Sequence, residues 1–260
     1  REFSQKALAL SPDDGAALAV EGMAQLYFDW DFEGARPKLE RAVALSPHDW
    51  MLRHGWADYL MVKGRFDESF EQTRLGRDDD PTSNMAAQVV AFHSMAARRI
   101  DDAIAAGRHV LLLNPAFRPA HGVVGTALWQ QKKYDEAIAE LRLATGGDEE
   151  SWRVFDDTYR RRGPEAALRA YSSRLAAGLV KGGGGAPIAV AEAFAQAGDL
   201  DRAMEWLERA YATREPAMLH VPANVAFEAL RGDPRFEALL RRVGIRMPTL
   251  PGTGTPTRRP

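Results

Sequence analysis

The sequence of 260 residues contains no cysteine. This absence excludes disulfide bonds, thiolate metal sites and a cysteine nucleophile. It also contains no uncharged apolar run of the roughly 18 residues needed to span a bilayer, and no signal-peptide pattern at its start. The formal net charge is −2, so neither sign is in excess. We therefore expect that this segment neither inserts into a membrane nor binds nucleic acid.

Motifs that support catalysis or cofactor binding are missing as well. No serine lies in a G-x-S-x-G context, and none of the six histidines has a recognised metal-binding spacing. His54 and Asp58 are four residues apart and are expected to pair on one helix face. The glycines at 182–185 lack the Lys-Ser/Thr of a phosphate loop and are interpreted as a linker or hinge. We expect no catalytic residue, no metal and no cofactor, and hence no enzyme.

The strongest pattern is a repeat of 34 residues. Segments reading FEGA, FDES, IDDA and YDEA follow one another at this spacing, starting at Phe32, Phe66, Ile100 and Tyr134. Two further position classes keep the same spacing: prolines at Pro47, Pro81 and Pro115, and small residues at Ala57, Ala91 and Gly125. Three independent classes with one period indicate a repeat array.

Each period contains two amphipathic helical patterns. In one copy, Ala137, Leu141 and Ala144 form an apolar stripe at i, i+4 and i+7. Two short helices cannot bury such stripes alone, whereas stacked pairs can, so the pattern predicts a helical solenoid. Three acids precede second helices or the last helix and are expected to cap them: Asp31, Asp199 and Asp233.

A helix–turn–helix unit of 34 residues with a small residue, a turn aromatic, an alanine and a terminal proline resembles the tetratricopeptide repeat family. The resemblance implies an all-α fold, a right-handed superhelical solenoid of antiparallel helix pairs with a C-terminal helical cap. FDWDFEGA followed by LERAVALSP, and LRGDPRFEALLRRVGI near the end, are similar to repeat arrays fused to bacterial transcription regulators, adenylate cyclases and serine/threonine kinases. No motif of such an effector appears in this chain, so the resemblance implies an effector portion outside it.

The period also predicts the unit boundaries within a solenoid that covers residues 1–216. Residues 1–13 are expected to form a half unit that lacks its first helix. Residues 217–246 are expected to form two shorter helices that cap the array, with Phe236, Leu239 and Leu240 over its exposed end, and residues 247–260 a disordered tail. The remaining units are expected at about 14–47, 48–81, 82–115, 116–149, 150–181 (degenerate) and 184–216.

The passage FDWDFEGA, residues 28–35, is interpreted as the turn of the first full unit. Gly22 lies 35 residues before Ala57, so one residue is inserted between Gly22 and Ala35. Trp30 accompanies this insertion and does not fit the period. We expect it to pack across the lengthened turn rather than contact a ligand.

The concave face is the candidate binding surface. The family resemblance implies which positions of each first helix point inward, and these positions are apolar and rich in methionine with a few polar groups. Their alternative role is packing between neighbouring units, and a third possibility is a small-ligand site. The predicted inward residues are Met51, His54, Asp58, Met61, Gln88, Phe92, Met95, Thr126, Trp129 and Gln130.

Our main hypothesis is a non-catalytic scaffold that binds a peptide or protein segment in this groove, as the docking or sensory part of a larger bacterial signalling or regulatory protein. The alternative is a small-molecule-sensing module of a transcription regulator or kinase. An enzyme is the third and least supported hypothesis, because the motifs are missing. We expect a cytoplasmic location, with the periplasm as the alternative.

Overall fold

The computed structural model describes residues 1–145, 149–181 and 186–248, and all regular structure within them is helical. None of the helices among these residues is long and apolar enough to cross a membrane. The α-helices are α1 (Glu2–Leu10), α2 (Gly15–Ala24), α3 (Phe32–Leu45), α4 (Trp50–Val62), α5 (Phe66–Asp79), α6 (Asn84–Ala96), α7 (Ile100–Leu113), α8 (Arg118–Gln130), α9 (Tyr134–Thr145), α10 (Glu149–Arg162), α11 (Pro164–Val180), α12 (Pro187–Gln196), α13 (Leu200–Ala212) and α14 (Pro234–Val243).

Successive helices pack as pairs, α2 with α3 and so on to α12 with α13. Neighbouring pairs pack on one another, and between α8–α9 and α10–α11 the contact is made by side chains, such as Arg142 with Asp156. Small residues make the close crossings possible. A Cβ atom on Gly125 of α8 would lie 2.8 Å from Cγ of Leu141 on α9, and Ala57 and Ala91 are fully buried at the corresponding positions. The predicted all-α repeat fold is confirmed.

The three predicted helix caps are present. Asp31 accepts a hydrogen bond from Gly34 N at 2.9 Å, and Asp199 accepts one from Arg202 N at 3.4 Å. Asp233 accepts one from Arg235 N at 2.8 Å. Each bond satisfies an N–H that has no partner inside the helix, which stabilises the helix by about 1 kcal/mol.

The one-residue insertion is absorbed before Trp30, not at it. Residues Gln25–Asp29 form a π-helix at the end of α2, which places an extra residue in the helix without disturbing the next turn. Trp30 then has a left-handed conformation, with φ of 57°, as do Gly64, Arg98 and Lys132 at successive intervals of 34 residues. The expectation that the period does not explain Trp30 was therefore wrong, because Trp30 holds a repeated turn position.

Trp30 packs as expected, but its neighbours lie at the other end of the chain. Its ring is 5.5 Å from that of Tyr211 on α13, and the Arg214 guanidinium lies 4.9 Å above it. Arg214 also donates a hydrogen bond to Phe28 O at 3.2 Å. The last repeat thus contacts the first full one.

The C-terminal residues 216–248, here called the return segment, complete this closure. They contain two 3-10 helices, Pro216–His220 and Val225–Leu230, followed by α14, instead of the two shorter helices that were expected. The buried side chains of Phe236, Leu239 and Leu240 belong to one core cluster with Leu26 and Phe32 of the first full unit. The return segment therefore joins the two ends of the array and does not simply cover a free end.

Two sequence predictions concern residues that are only partly described. The glycine linker, 182–185, lies outside the described residues, as does the predicted disordered tail from residue 249 onward. Met247 and Pro248 are described: Met247 packs against the main core cluster, and Pro248 O accepts a hydrogen bond from Arg231. The described part of the chain thus includes the first two residues of the predicted tail.

Candidate functional site

A cavity of about 370 Å³ lies on the inner side of the array, between the middle repeats and the return segment. Four of the predicted inward residues line it: Phe92 and Met95 from α6, and Thr126 and Trp129 from α8. They lie together because α6 and α8 are the first helices of consecutive units and pack side by side. The repeat period therefore brings these side chains to one surface.

The walls of the cavity are predominantly aromatic and aliphatic. Trp152 and Phe155 from α10 and Tyr171 from α11 line it together with Trp129. The rings of Trp152 and Tyr171 are 4.7 Å apart, and those of Trp152 and Phe155 are 5.2 Å apart in an edge-to-face arrangement. Such a surface offers contact area to an apolar group and few hydrogen bonds.

One carboxyl group stands out in this apolar wall. Glu192 of α12 lies deep in the protein but keeps part of its surface open because it faces the cavity. Its carboxylate accepts a hydrogen bond from Asn224 Nδ2 at 2.7 Å. Burial raises the pKa of Glu192 to about 7, and the negative charge of Glu215 adds to this, whereas the bond from Asn224 and the nearby His220 oppose it. Near neutral pH this group can therefore either donate or accept a hydrogen bond.

Three predicted inward residues lie next to the return segment. Met61 is 1% exposed and shares a small core cluster with Ala223, so it packs within the chain. Asp58 is also 1% exposed, and His54 Nε2 is 3.1 Å from its Oδ2, which confirms the predicted pair.

The other three, Met51, Gln88 and Gln130, do not line the cavity. Met51 and Gln130 are exposed, and Gln88 is half-buried. A partner-binding role for the ten residues stays a prediction.

A buried polar cluster surrounds Asp58. His93 from α6 and His220 from the return segment approach Oδ1, at 3.2 and 3.6 Å, and Tyr27 donates a hydrogen bond to Oδ2. Burial disfavours ionisation of Asp58, but the imidazoles of His220 and His93 outweigh it and lower the pKa of this carboxyl. Burial lowers the pKa of His54 to about 3, and His93 and His220 contribute to this effect.

Sequence reasoning missed several of these residues. Glu192, His220 and Asn224 lie outside the repeats that were projected onto the concave face. Glu192 is on α12, the first helix of the last pair, whereas His220 and Asn224 reach this face because the return segment folds back. One signal was available: Glu192 is the single charged residue in the apolar stretch PIAVAEAFAQ. A lone acid surrounded by alanines and aliphatic residues indicates that the buried carboxyl has either a hydrogen-bond partner inside the protein or a ligand.

Comparison with known proteins supports the repeat class. Residues 94–151 match the family model described as Tetratricopeptide repeat. No curated protein sequence matches the chain.

Among solved structures, PilF of Pseudomonas aeruginosa is 16% identical, with a TM-score of 0.51, and the match covers 84% of this chain and 97% of PilF. PilW, a type IV pilus biogenesis factor, is 17% identical over 80% and 82% of the two chains, with a TM-score of 0.47. YrrB, a tetratricopeptide-repeat protein with an unusual peptide-binding site, is 14% identical over 88% and 97%, with a TM-score of 0.46.

The repeat period, the matched segment and the fold together support a tetratricopeptide-repeat protein. At 16% identity the match to PilF supports the fold alone. Repeat solenoids of this kind generally act as scaffolds that bind protein or peptide partners on extended surfaces, and typically they are not catalysts.

Proposed function

We propose that this chain is a non-catalytic scaffold that binds a protein or peptide segment on its inner side, and that an apolar side chain of this segment enters the cavity. The observation that carries the proposal is the position of Phe92, Met95, Thr126 and Trp129 around one cavity of about 370 Å³. Aromatic and methionine side chains in a concave pocket are typical of residues that dominate binding energy at interfaces.

The chemistry of the cavity also favours a particular kind of side chain as the anchor, which is the residue of the bound segment that enters the cavity. Its aromatic walls suit an aromatic or long aliphatic side chain, and Glu192 can accept a hydrogen bond from an N–H or amino group beside it. The preferred segment therefore combines a large apolar residue with a nearby donor. A negatively charged anchor is disfavoured, because ionised Glu192 would repel it.

We also propose that this binding takes place within a larger bacterial signalling protein. The resemblance of FDWDFEGA and of the closing segment to repeat arrays of bacterial regulators supports a docking or sensory part of a larger signalling protein. A cytoplasmic location fits such a role, with the periplasm as the alternative.

A small molecule is the second candidate ligand, and one observation favours it. The return segment covers Met61 and Asp58, so the inner side is a pocket there and not a continuous groove. Its volume lies within the range of roughly 300–1,000 Å³ that is typical of small-molecule sites. A compound with an aromatic body and an amino group would satisfy the same walls and the same carboxyl.

A cavity-filling substitution tests both candidates. Gly122 of α8 lines the cavity, and a Cβ atom there would meet only Ala144 Cβ, at 3.8 Å. We expect Gly122→Phe to fill the cavity while the free energy of unfolding stays equal or rises by up to about 1 kcal/mol, since a helix loses a glycine. Gly178→Phe is the matched control, because Gly178 is an exposed helical glycine with open space around it.

Binding is measured with peptides selected from a phage-displayed library, and separately with a thermal-shift screen of metabolites. The selected peptides should share an apolar anchor, and their affinity should fall at least about tenfold in Gly122→Phe but not in Gly178→Phe. The small-molecule function is supported if no peptide is selected and a single compound stabilises the wild type and Gly178→Phe but not Gly122→Phe. Equal binding by both variants would show that the cavity is not the site.

A further inference from the structure

Three imidazole nitrogens, from His54, His93 and His220, converge on the carboxylate of Asp58. His54 lies on α4 with Asp58, His93 lies on α6, and His220 lies on the return segment. Asp58 and His93 are each only 1% exposed. Neither Asp58 Oδ1, His93 Nε2 nor His220 Nε2 has a hydrogen-bond partner among the described residues, although His93 Nε2 and Asp58 Oδ1 are 3.2 Å apart. Buried polar atoms without partners require an explanation.

The hydrogen bonds behind His93 determine which of its nitrogens carries a proton. Ser69 Oγ donates its single hydrogen to Ala57 O at 2.8 Å. It also lies 2.7 Å from His93 Nδ1, and in that contact it can only accept. His93 Nδ1 is therefore protonated, and in the neutral imidazole the lone pair of Nε2 points into the cluster. A lone pair that faces a carboxylate oxygen at 3.2 Å is repelled unless a cation lies between them.

The geometry points to a divalent metal ion as this cation. The ligand atoms of His54, Asp58 and His93 all lie within 4.8 Å of one another. In a tetrahedral zinc site with bonds of 2.0–2.1 Å, ligand atoms are separated by about 3.3–3.4 Å, so small side-chain rotations complete the geometry. The alternative occupant is a proton on His93 Nε2, with neutral His54 and His220 donating to Asp58 through their Nε2–H groups, and the titration below distinguishes the two.

We propose that His54, Asp58 and His93 form a binding site for Zn²⁺ or a similar transition-metal ion, with His220 as the fourth ligand. Imidazole nitrogens with one carboxylate favour this class of ion over Mg²⁺ and Ca²⁺, which prefer oxygen ligands. Ser69 and Tyr27 are the outer partners, since Ser69 orients His93 and the Tyr27 hydroxyl holds the second oxygen of Asp58.

The site would connect three parts of the fold. Two of its ligands are in the unit formed by α4 and α5, one is in the next unit, and His220 belongs to the return segment. An ion bound there therefore holds the return segment against the inner side of the array. Apart from the His54–Asp58 pair on α4, no metal-binding spacing is evident in the sequence, because His93 and His220 come from α6 and the return segment.

The test is titration of the tag-free, EDTA-dialysed protein with Zn²⁺ by calorimetry, and with Co²⁺ by visible absorption. We expect one ion per chain, a Co²⁺ spectrum of the tetrahedral type, and a higher unfolding temperature with Zn²⁺. His93→Gln should weaken Zn²⁺ binding by more than about 100-fold, because loss of an outer-shell partner alone costs about 10–100-fold. Ser69→Ala should fall within that smaller range, and His109→Gln, at an exposed histidine of α7, should bind as the wild type.

His54→Gln provides a second variant if His93→Gln does not fold, because the His54 side chain is 26% exposed and tolerates replacement more readily. It too should weaken Zn²⁺ binding by more than about 100-fold. Absence of Zn²⁺ binding by the stripped wild type would overturn the proposal and assign a proton to His93. Unchanged affinity in both His54→Gln and His93→Gln would overturn it as well, since the ion would then bind elsewhere.

Discussion

Replacing Phe227 by alanine is expected to lower the free energy of unfolding by about 3–5 kcal/mol, the usual cost of removing a fully buried phenylalanine side chain. Phe227 is 1% exposed and lies in the second 3-10 helix of the return segment. Urea unfolding followed by circular dichroism measures the change. Phe28→Ala is the control, because Phe28 is 59% exposed and its loss should change stability by less than about 0.5 kcal/mol.

The same variant tests whether the two ends of the array are joined. In an open solenoid each repeat contacts only its neighbours, so a change near the C-terminus would leave the first unit undisturbed. Phe227 instead belongs to one core cluster with Leu26 and Phe32. Hydrogen exchange in α2 should therefore become faster in Phe227→Ala. A stability loss below about 1 kcal/mol, with exchange in α2 unchanged, would contradict the closed arrangement.

Replacing Glu192 by glutamine is expected to stabilise the protein at alkaline pH by about 2–3 kcal/mol. The pKa of Glu192 is raised from 4.5 to about 7, mainly by burial, so between these values the folded state holds a proton that the unfolded state releases. The stability of the wild type therefore falls as pH rises through this window and levels off above it. Glutamine has no charge to bury, and its side-chain oxygen can still accept the bond from Asn224.

Urea unfolding of Glu192→Gln and the wild type at pH 5, 6, 7 and 8 measures this difference. At pH 5 the two proteins should differ by less than about 1 kcal/mol, because Glu192 is protonated in the folded wild type. Glu33→Gln is the control and should follow the wild-type curve, since the Glu33 side chain is 82% exposed. A constant difference at every pH would indicate a packing effect and not the buried charge.

Local features were predictable from the sequence. The helix caps at Asp31 and Asp199 and the small residues at the helix crossings follow from position in a period of 34 residues, and the structure has them. The contacts of Phe92 and Trp129 with one cavity were also within reach, because neighbouring first helices lie side by side. These features depend on at most two adjacent units.

The closure was not predictable in this way. Contacts such as Trp30 with Tyr211 and Arg98 with Glu228 join residues more than a hundred positions apart. They depend on the rotation from each unit to the next, summed over the whole array, and a single sequence does not fix that small angle. His220 reaches the site only through this closure. The π-helix after α2 was not predicted either. The repeat period locates the inserted residue, but it does not show which backbone conformation accommodates it.

The left-handed turns between paired helices also contribute to the contact between the two ends of the array. Glycine accepts this conformation freely, and Gly64 and Gly198 have it, whereas Trp30 and Arg98 adopt it against the preference of larger residues. Both of these side chains reach the far end of the chain: Trp30 packs on Tyr211, and Arg98 donates to Ala223 O and Glu228. The side chains of Trp30 and Arg98 thus act as clasps that add to the core contacts of the return segment. Glycine at both positions would remove these clasps and leave the core that joins the two ends in place.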